Sequence, residues 1–140
     1  EYFTGYRQTR CRDDELIAAV LVPRDAPRQM RFYKIAKRQT DDISIVAACF
    51  ALRLDAQARI RSARLAFGGV AATPIRLPVV EAAMLDRELS DQLVEEIARR
   101  IAASLSPLDD HRASADYRLT LCGNLWRRYV DDLRSAEVSV

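Results

Sequence analysis

The chain has 140 residues, with 22 Lys and Arg against 20 Asp and Glu and a net charge of +2. That is the length of one domain, and the charge balance makes no case for nucleic-acid binding. No apolar run of about 18 residues is present, so no transmembrane helix is expected.

The start, Glu1 to Arg7, lacks the basic-then-apolar order of a signal peptide. With no initiating Met, the chain reads as a piece of something longer. Cys11, Cys49 and Cys122 are odd in number, far apart and without a CxxC pair. No zinc or iron–sulfur site within the chain is expected from them. Cys49 and Cys122 sit in apolar segments and read as small core residues, which suits a reducing, cytoplasmic compartment.

Residues 1–12 mix Tyr2, Phe3 and Tyr6 with Arg7, Arg10 and Arg12, and Gly5 permits a sharp turn. Residues 14–22, DELIAAVLV, are an apolar run closed by Pro23, and Ile17, Val20 and Val22 favour a strand. A two-proline loop, 23–29, leads to a second strand over 30–36, expected antiparallel to the first. A polar cluster follows, Lys37 to Asp42, with no Gly or Pro to set an ordinary turn.

Residues 43–54 form a third strand candidate, with helix the alternative because of the alanines. Residues 55–58 are a turn, and 59–67 a fourth strand ending at Gly68-Gly69. A short helix is expected over Val79–Leu85. Ser90 is a good N-cap for the next helix, whose Leu93, Ile97, Ile101 and Leu105 recur every four residues until Ser106-Pro107 stops it. The last helix is expected from about Ser114 to Leu133. Leu121, Cys122, Leu125, Trp126, Tyr129, Val130 and Leu133 share one stripe, and a frayed tail follows. Strands first and helices afterwards predict an α+β fold: an antiparallel sheet of three to four strands, then about three helices packed on one face.

A catalytic centre is hard to build from these residues. The single histidine, His111, lies in a polar loop, and no GxSxG setting, Walker loop or GxGxxG occurs. Asp41 and Asp42 are adjacent, so on a strand they would face opposite ways. Lys34 is more informative. Between Tyr33 and Ile35 in mid-strand, it either snorkels at a sheet edge or reaches a bound anion or polar ring. Arg7, Arg112 and Arg118 could bind phosphate or pin loops to carboxylates.

Four segments in order resemble one family. They are Phe3-Thr4-Gly5-Tyr6-Arg7-Gln8-Thr9; Phe32-Tyr33-Lys34 with Lys37-Arg38 and Asp41-Asp42-Ile43; Ala66-Phe67-Gly68-Gly69-Val70-Ala71 with Pro74; and Asp110-His111-Arg112-Ala113-Ser114 with Tyr117-Arg118. The set is similar to the C-terminal domain of the flavoprotein unit of molybdenum hydroxylases, with the xanthine dehydrogenase type nearest and carbon monoxide dehydrogenase a relative.

The resemblance implies a domain that closes over FAD held mostly by an upstream domain absent from this chain. Electrons would pass from a molybdenum cofactor through 2Fe-2S clusters, both in partner domains or subunits, to FAD and on to NAD. It implies FAD contacts at Lys34 and Ile17, a loop near the flavin over Ile35–Ile45, ties to that environment at Asp41 and Arg7, and the nicotinamide's approach at Ile43. No catalytic residue and no metal ligand is implied within the chain. The rival reading is an assembly or interaction domain of the same fold that binds no flavin. A further alternative is the flavin-subunit domain of a carbon monoxide or aldehyde dehydrogenase relative.

Overall fold

The structure is a computed structural model that describes residues 2–22, 24, 27, 29–38 and 42–137. A short hairpin comes first, β1 (Phe3–Gly5) and β2 (Gln8–Thr9). The central sheet follows: β3 (Gln29–Ile35), β4 (Val46–Leu54), β5 (Ile60–Gly68) and β6 (Ile75–Arg76), antiparallel in the order β3-β4-β5-β6. The helices come last: α1 (Pro78–Ala82), α2 (Asp91–Ala103) and α3 (Ala115–Glu137).

The alternation of side chains explains the layering. Tyr33 lies opposite Ala48, which lies opposite Phe67, and Ile35 lies opposite Val46. Phe50 and Leu52 continue that face, which is buried under the helices. Phe50 is its centre, with ring centroids 5.4 Å from Phe67, 5.9 Å from Trp126 and 5.4 Å from Tyr129. Trp126 is fully buried, as its place on the apolar stripe predicts, and its indole N–H donates to the Val94 carbonyl at 3.0 Å. That bond satisfies the one polar group the ring brings into the core.

Both long helices obey their sequence signals. The Ser90 hydroxyl accepts from the Leu93 N–H at 3.3 Å and starts α2. Leu93, Val94, Ile97, Ala98 and Ile101 are the buried face. Ser114 caps α3 in the same way, accepting from the Tyr117 N–H at 3.3 Å. Arg127 joins the helices by a forked pair of bonds to Glu95, at 2.7 and 2.8 Å. α3 continues through Glu137, past the expected end at Leu133, and 138–140 lie outside the described residues.

The fold class is as expected, but one strand is not. Residues 14–22 form no strand, and the fourth strand of the sheet is β6 on the opposite edge. The apolar run has the composition of a strand but buries against little among the described residues. Leu16 is 82% exposed, Val20 80% and Leu21 94%. β3 pairs only with β4, so its outer edge is unpaired among the described residues. The third strand begins at Val46 rather than Ile43, because Asp42 accepts from the N–H groups of Arg38 and Ile43 and turns the chain first. In the first hairpin the left-handed residue is Arg7, at φ 55°, and not Gly5.

Candidate functional site

The helices cover one face of the sheet and leave the other open. That open face is floored by small residues. Lys34 lies opposite Ala47, which lies opposite Gly68; Phe32 lies opposite Cys49, which lies opposite Ala66. Phe32 is 67% exposed on it. Lys34 is exposed on the same face at the end of β3, where a cleft of about 320 Å³ is lined by Lys34, Ile35, Ala36, Lys37 and Arg38. No hydrogen bond holds the Lys34 ammonium among the described residues.

The rim of the cleft carries both signs of charge. Asp42 accepts from the Arg38 N–H at 3.1 Å and lies 3.7 Å from the Arg38 guanidinium. Burial works against its ionised form, but the N–H groups of Arg38 and Ile43 and the charges of Arg38 and Lys34 outweigh it. Its carboxyl is held below the usual carboxylate range. Lys37 donates to the His111 carbonyl at 2.9 Å. The Ile45 N–H donates to the Ile35 carbonyl at 2.7 Å and closes the loop at its neck.

Of the five predicted contact residues, the four described ones lie in separate parts of the chain. Lys34 stands at the cleft, and Ile43 is 62% exposed just after Asp42. Ile17, 59% exposed, lines a different hollow with Tyr2, Arg10, Cys11, Glu15 and Leu16. Arg7 sits on the first hairpin, its guanidinium 5.4 Å from the centre of the Tyr6 ring. Among the named elements β1 and β2 touch only each other. Asp41 lies outside the described residues. Asp110 has a role that its sequence setting does not specify: it anchors the loop before α3 by accepting from the N–H groups of Arg112 and Ala113, at 2.8 and 3.1 Å. Its sequence signals are two acidic residues followed by a polar turn and a helix start, and its place at the head of the fourth family-like segment.

Fold and rim together define an α+β module with one sheet face covered by helices and one open beside a cationic edge. The family of CO dehydrogenase flavoprotein C-terminal domains matches residues 31–133. The chain belongs to that family, the C-terminal flavoprotein domain of molybdenum hydroxylases.

It is similar to the glyceraldehyde dehydrogenase medium chain of Sulfolobus acidocaldarius, 31% identical over 119 residues, covering 84% of this chain and 41% of that one. It is also similar to the xanthine dehydrogenase FAD-binding subunit of Escherichia coli O157:H7, 28% identical over 137 residues, covering 96% and 47%. The solved Cu,Mo-CO dehydrogenase in its cyanide-inactivated form superposes with a TM-score of 0.77 at 25% identity, covering 93% and 45%. The chain spans less than half the length of each of these three. No helix among the described residues is long and apolar enough to cross a membrane.

Proposed function

We propose that this chain is the C-terminal part of the FAD subunit of a xanthine dehydrogenase-type molybdenum hydroxylase, and that it completes the flavin site from which electrons pass to NAD. The observation that carries this reading is Lys34: an ammonium with no hydrogen-bonding partner among the described residues, on the open face, beside a floor of Ala47 and Gly68. The family match and the similarity to a bacterial xanthine dehydrogenase FAD-binding subunit support it.

The residues fit a planar, anionic group. Nothing bulky stands opposite Lys34, and even a methyl group at Gly68 would meet only the Ala47 side chain, at 3.7 Å. FAD, when bound, links one-electron carriers to a two-electron acceptor. Lys34 would donate to a ring acceptor and favour negative charge there, while the ionised Asp42 opposes it. Lys37 and Arg38 add positive charge on the side from which the NAD phosphates would come, and Ile43 offers an apolar contact there. Ile17, Arg7 and Asp41 belong to this proposal through the segments on either side, which an upstream FAD-binding domain would bring to the flavin.

In this reading the upstream domain covers Tyr2, Phe3, Tyr6 and the run from Leu16 to Val22. The molybdenum cofactor and the 2Fe-2S clusters lie in partner domains or subunits, the assembly works in the cytoplasm, and the chain alone does not catalyse. The substrate is chosen at the molybdenum subunit. The resemblance to a glyceraldehyde dehydrogenase medium chain therefore keeps an aldehyde-oxidising complex as the second reading.

The test is Lys34→Ala in the whole complex. Loss of one hydrogen bond to a charged group predicts FAD binding weakened about tenfold, or a comparably slower reduction of NAD. If neither changes, Lys34 has no such role. A native complex without flavin absorbance would favour the assembly-domain rival.

A further inference from the structure

Arg118 lies on the apolar stripe of α3, one turn before Cys122, and is only 4% exposed. An arginine is rarely this buried without a specific partner set. Here one guanidinium gathers three chain segments. Its Nη1 donates to the Ile45 carbonyl at 2.6 Å and the Gly69 carbonyl at 2.7 Å, and its Nη2 donates to Asp110 Oδ1 at 2.6 Å. Its Nε has no hydrogen-bond partner, so the fork is aimed at these three acceptors and not at full pairing.

The three acceptors share one end of the sheet. Ile45 precedes β4, Gly69 follows β5 and Asp110 stands in the loop before α3. Ile45 is also the neck of the loop that carries the cleft, since its N–H already holds Ile35 at the end of β3. Both backbone polar groups of Ile45 are thereby fixed, its N–H to β3 and its carbonyl to α3. Asp110 is itself held by the Arg112 and Ala113 N–H groups, and the loop it anchors supplies the His111 carbonyl that takes Lys37. Position is therefore relayed from α3 to the rim through backbone atoms.

We propose that Arg118, clamped to Asp110, is the positioning residue of the flavin site: it sets the neck at Ile45, and with it Lys34 and Lys37, without touching the ligand. This rests on the reading of Lys34 as a flavin contact. It predicts that the contribution of Lys34 depends on Arg118, which a merely stabilising core arginine would not produce.

The experiment is a double-mutant cycle in the whole complex, stripped of flavin and titrated with FAD, with the dissociation constant as readout. Arg118→Lys keeps the charge but loses the fork. FAD binding should weaken about tenfold in Arg118→Lys, and adding Lys34→Ala should cost at least about fivefold less than the product of the two single effects. Asp110→Asn keeps the side-chain oxygen and drops its charge; it should show the same coupling and serves if Arg118→Lys does not fold. Single effects that simply multiply, or an Arg118→Lys complex that binds FAD within about twofold of the parent, overturn the positioning role alone. A Lys34→Ala complex with unchanged FAD affinity overturns the flavin reading, and this inference with it.

Discussion

Two glycines in this chain should respond to alanine in opposite directions. Gly69 has φ +80°, and a Cβ built on it would lie 2.6 Å from the Ile45 carbonyl oxygen. The left-handed backbone costs an alanine roughly 1–2 kcal/mol. The carbonyl must also move, and that lengthens the 2.6 Å bond it accepts from Arg118. A hydrogen bond to a charged group is worth about 1.5–3 kcal/mol, so Gly69→Ala should cost about 3–4 kcal/mol in all. Gly123 lies inside α3 with an ordinary helical backbone. Its added Cβ would meet Arg127 Nη1, at the far end of that side chain, at 3.3 Å and Ala98 at 3.9 Å. Helix propensity then favours Gly123→Ala by up to about 1 kcal/mol. Urea unfolding of both variants, followed by far-ultraviolet circular dichroism, measures the difference from the shift in midpoint. If Gly69→Ala unfolds within about 0.5 kcal/mol of the parent, or below the cost of Gly123→Ala, the neck is not packed against Gly69 as argued here.

Two further predictions concern titration and reactivity. The side-chain bond from Arg87, helped by Arg100, lowers Glu96 from 4.5 to about 2. A depressed carboxyl adds stability above its unfolded value, and loses it as pH falls through the folded one. The stability gap between the parent and Glu96→Gln should therefore be constant above about pH 5 and close between there and about pH 2; a gap that does not change over that window would show the pair to be unimportant. Burial pushes the Cys122 thiol up to about 12. In the folded protein at pH 8 it should resist a thiol reagent that labels Cys11, and become reactive only on unfolding. Equal labelling rates in the native state would place Cys122 outside the core.

The helical half of the molecule was legible because its apolar residues repeat at the helix period and its caps are local. Ser90, the Leu93–Ile101 face and the Cys122–Leu133 stripe need no knowledge of the rest of the chain. β4 and β5 were legible for a related reason: a hairpin turn at 55–58 joins them, and Asp55 fixes it by accepting from the N–H groups of Gln57 and Arg59. The rim was legible only in part. Lys34 stood out as a cation in mid-strand, but the reason its loop is held in place lies in Arg118, 73 residues from Ile45. That contact has no periodicity to betray it: Arg118 could be read as an arginine that pins a loop to a carboxylate, as it does with Asp110, but not as a donor to Ile45.

The misread segment is the more instructive case. Periodicity and β-branching report that a stretch will be buried, and they say nothing about what will bury it. Residues 14–22 carry that signature and remain exposed, with Leu21 94% and Val22 77% accessible. The Tyr2–Phe3 ring pair, 5.1 Å between centroids, packs on itself in the same way. Leu16 to Val22 offer an uncovered apolar run, and β3 offers a strand edge with a floor of small residues behind it. A sheet edge and an apolar run left open in one chain are what a flavin domain continued upstream would close. On the proposed reading, the segment that failed as an internal strand marks the seam between the domain that holds FAD and the domain that completes its site.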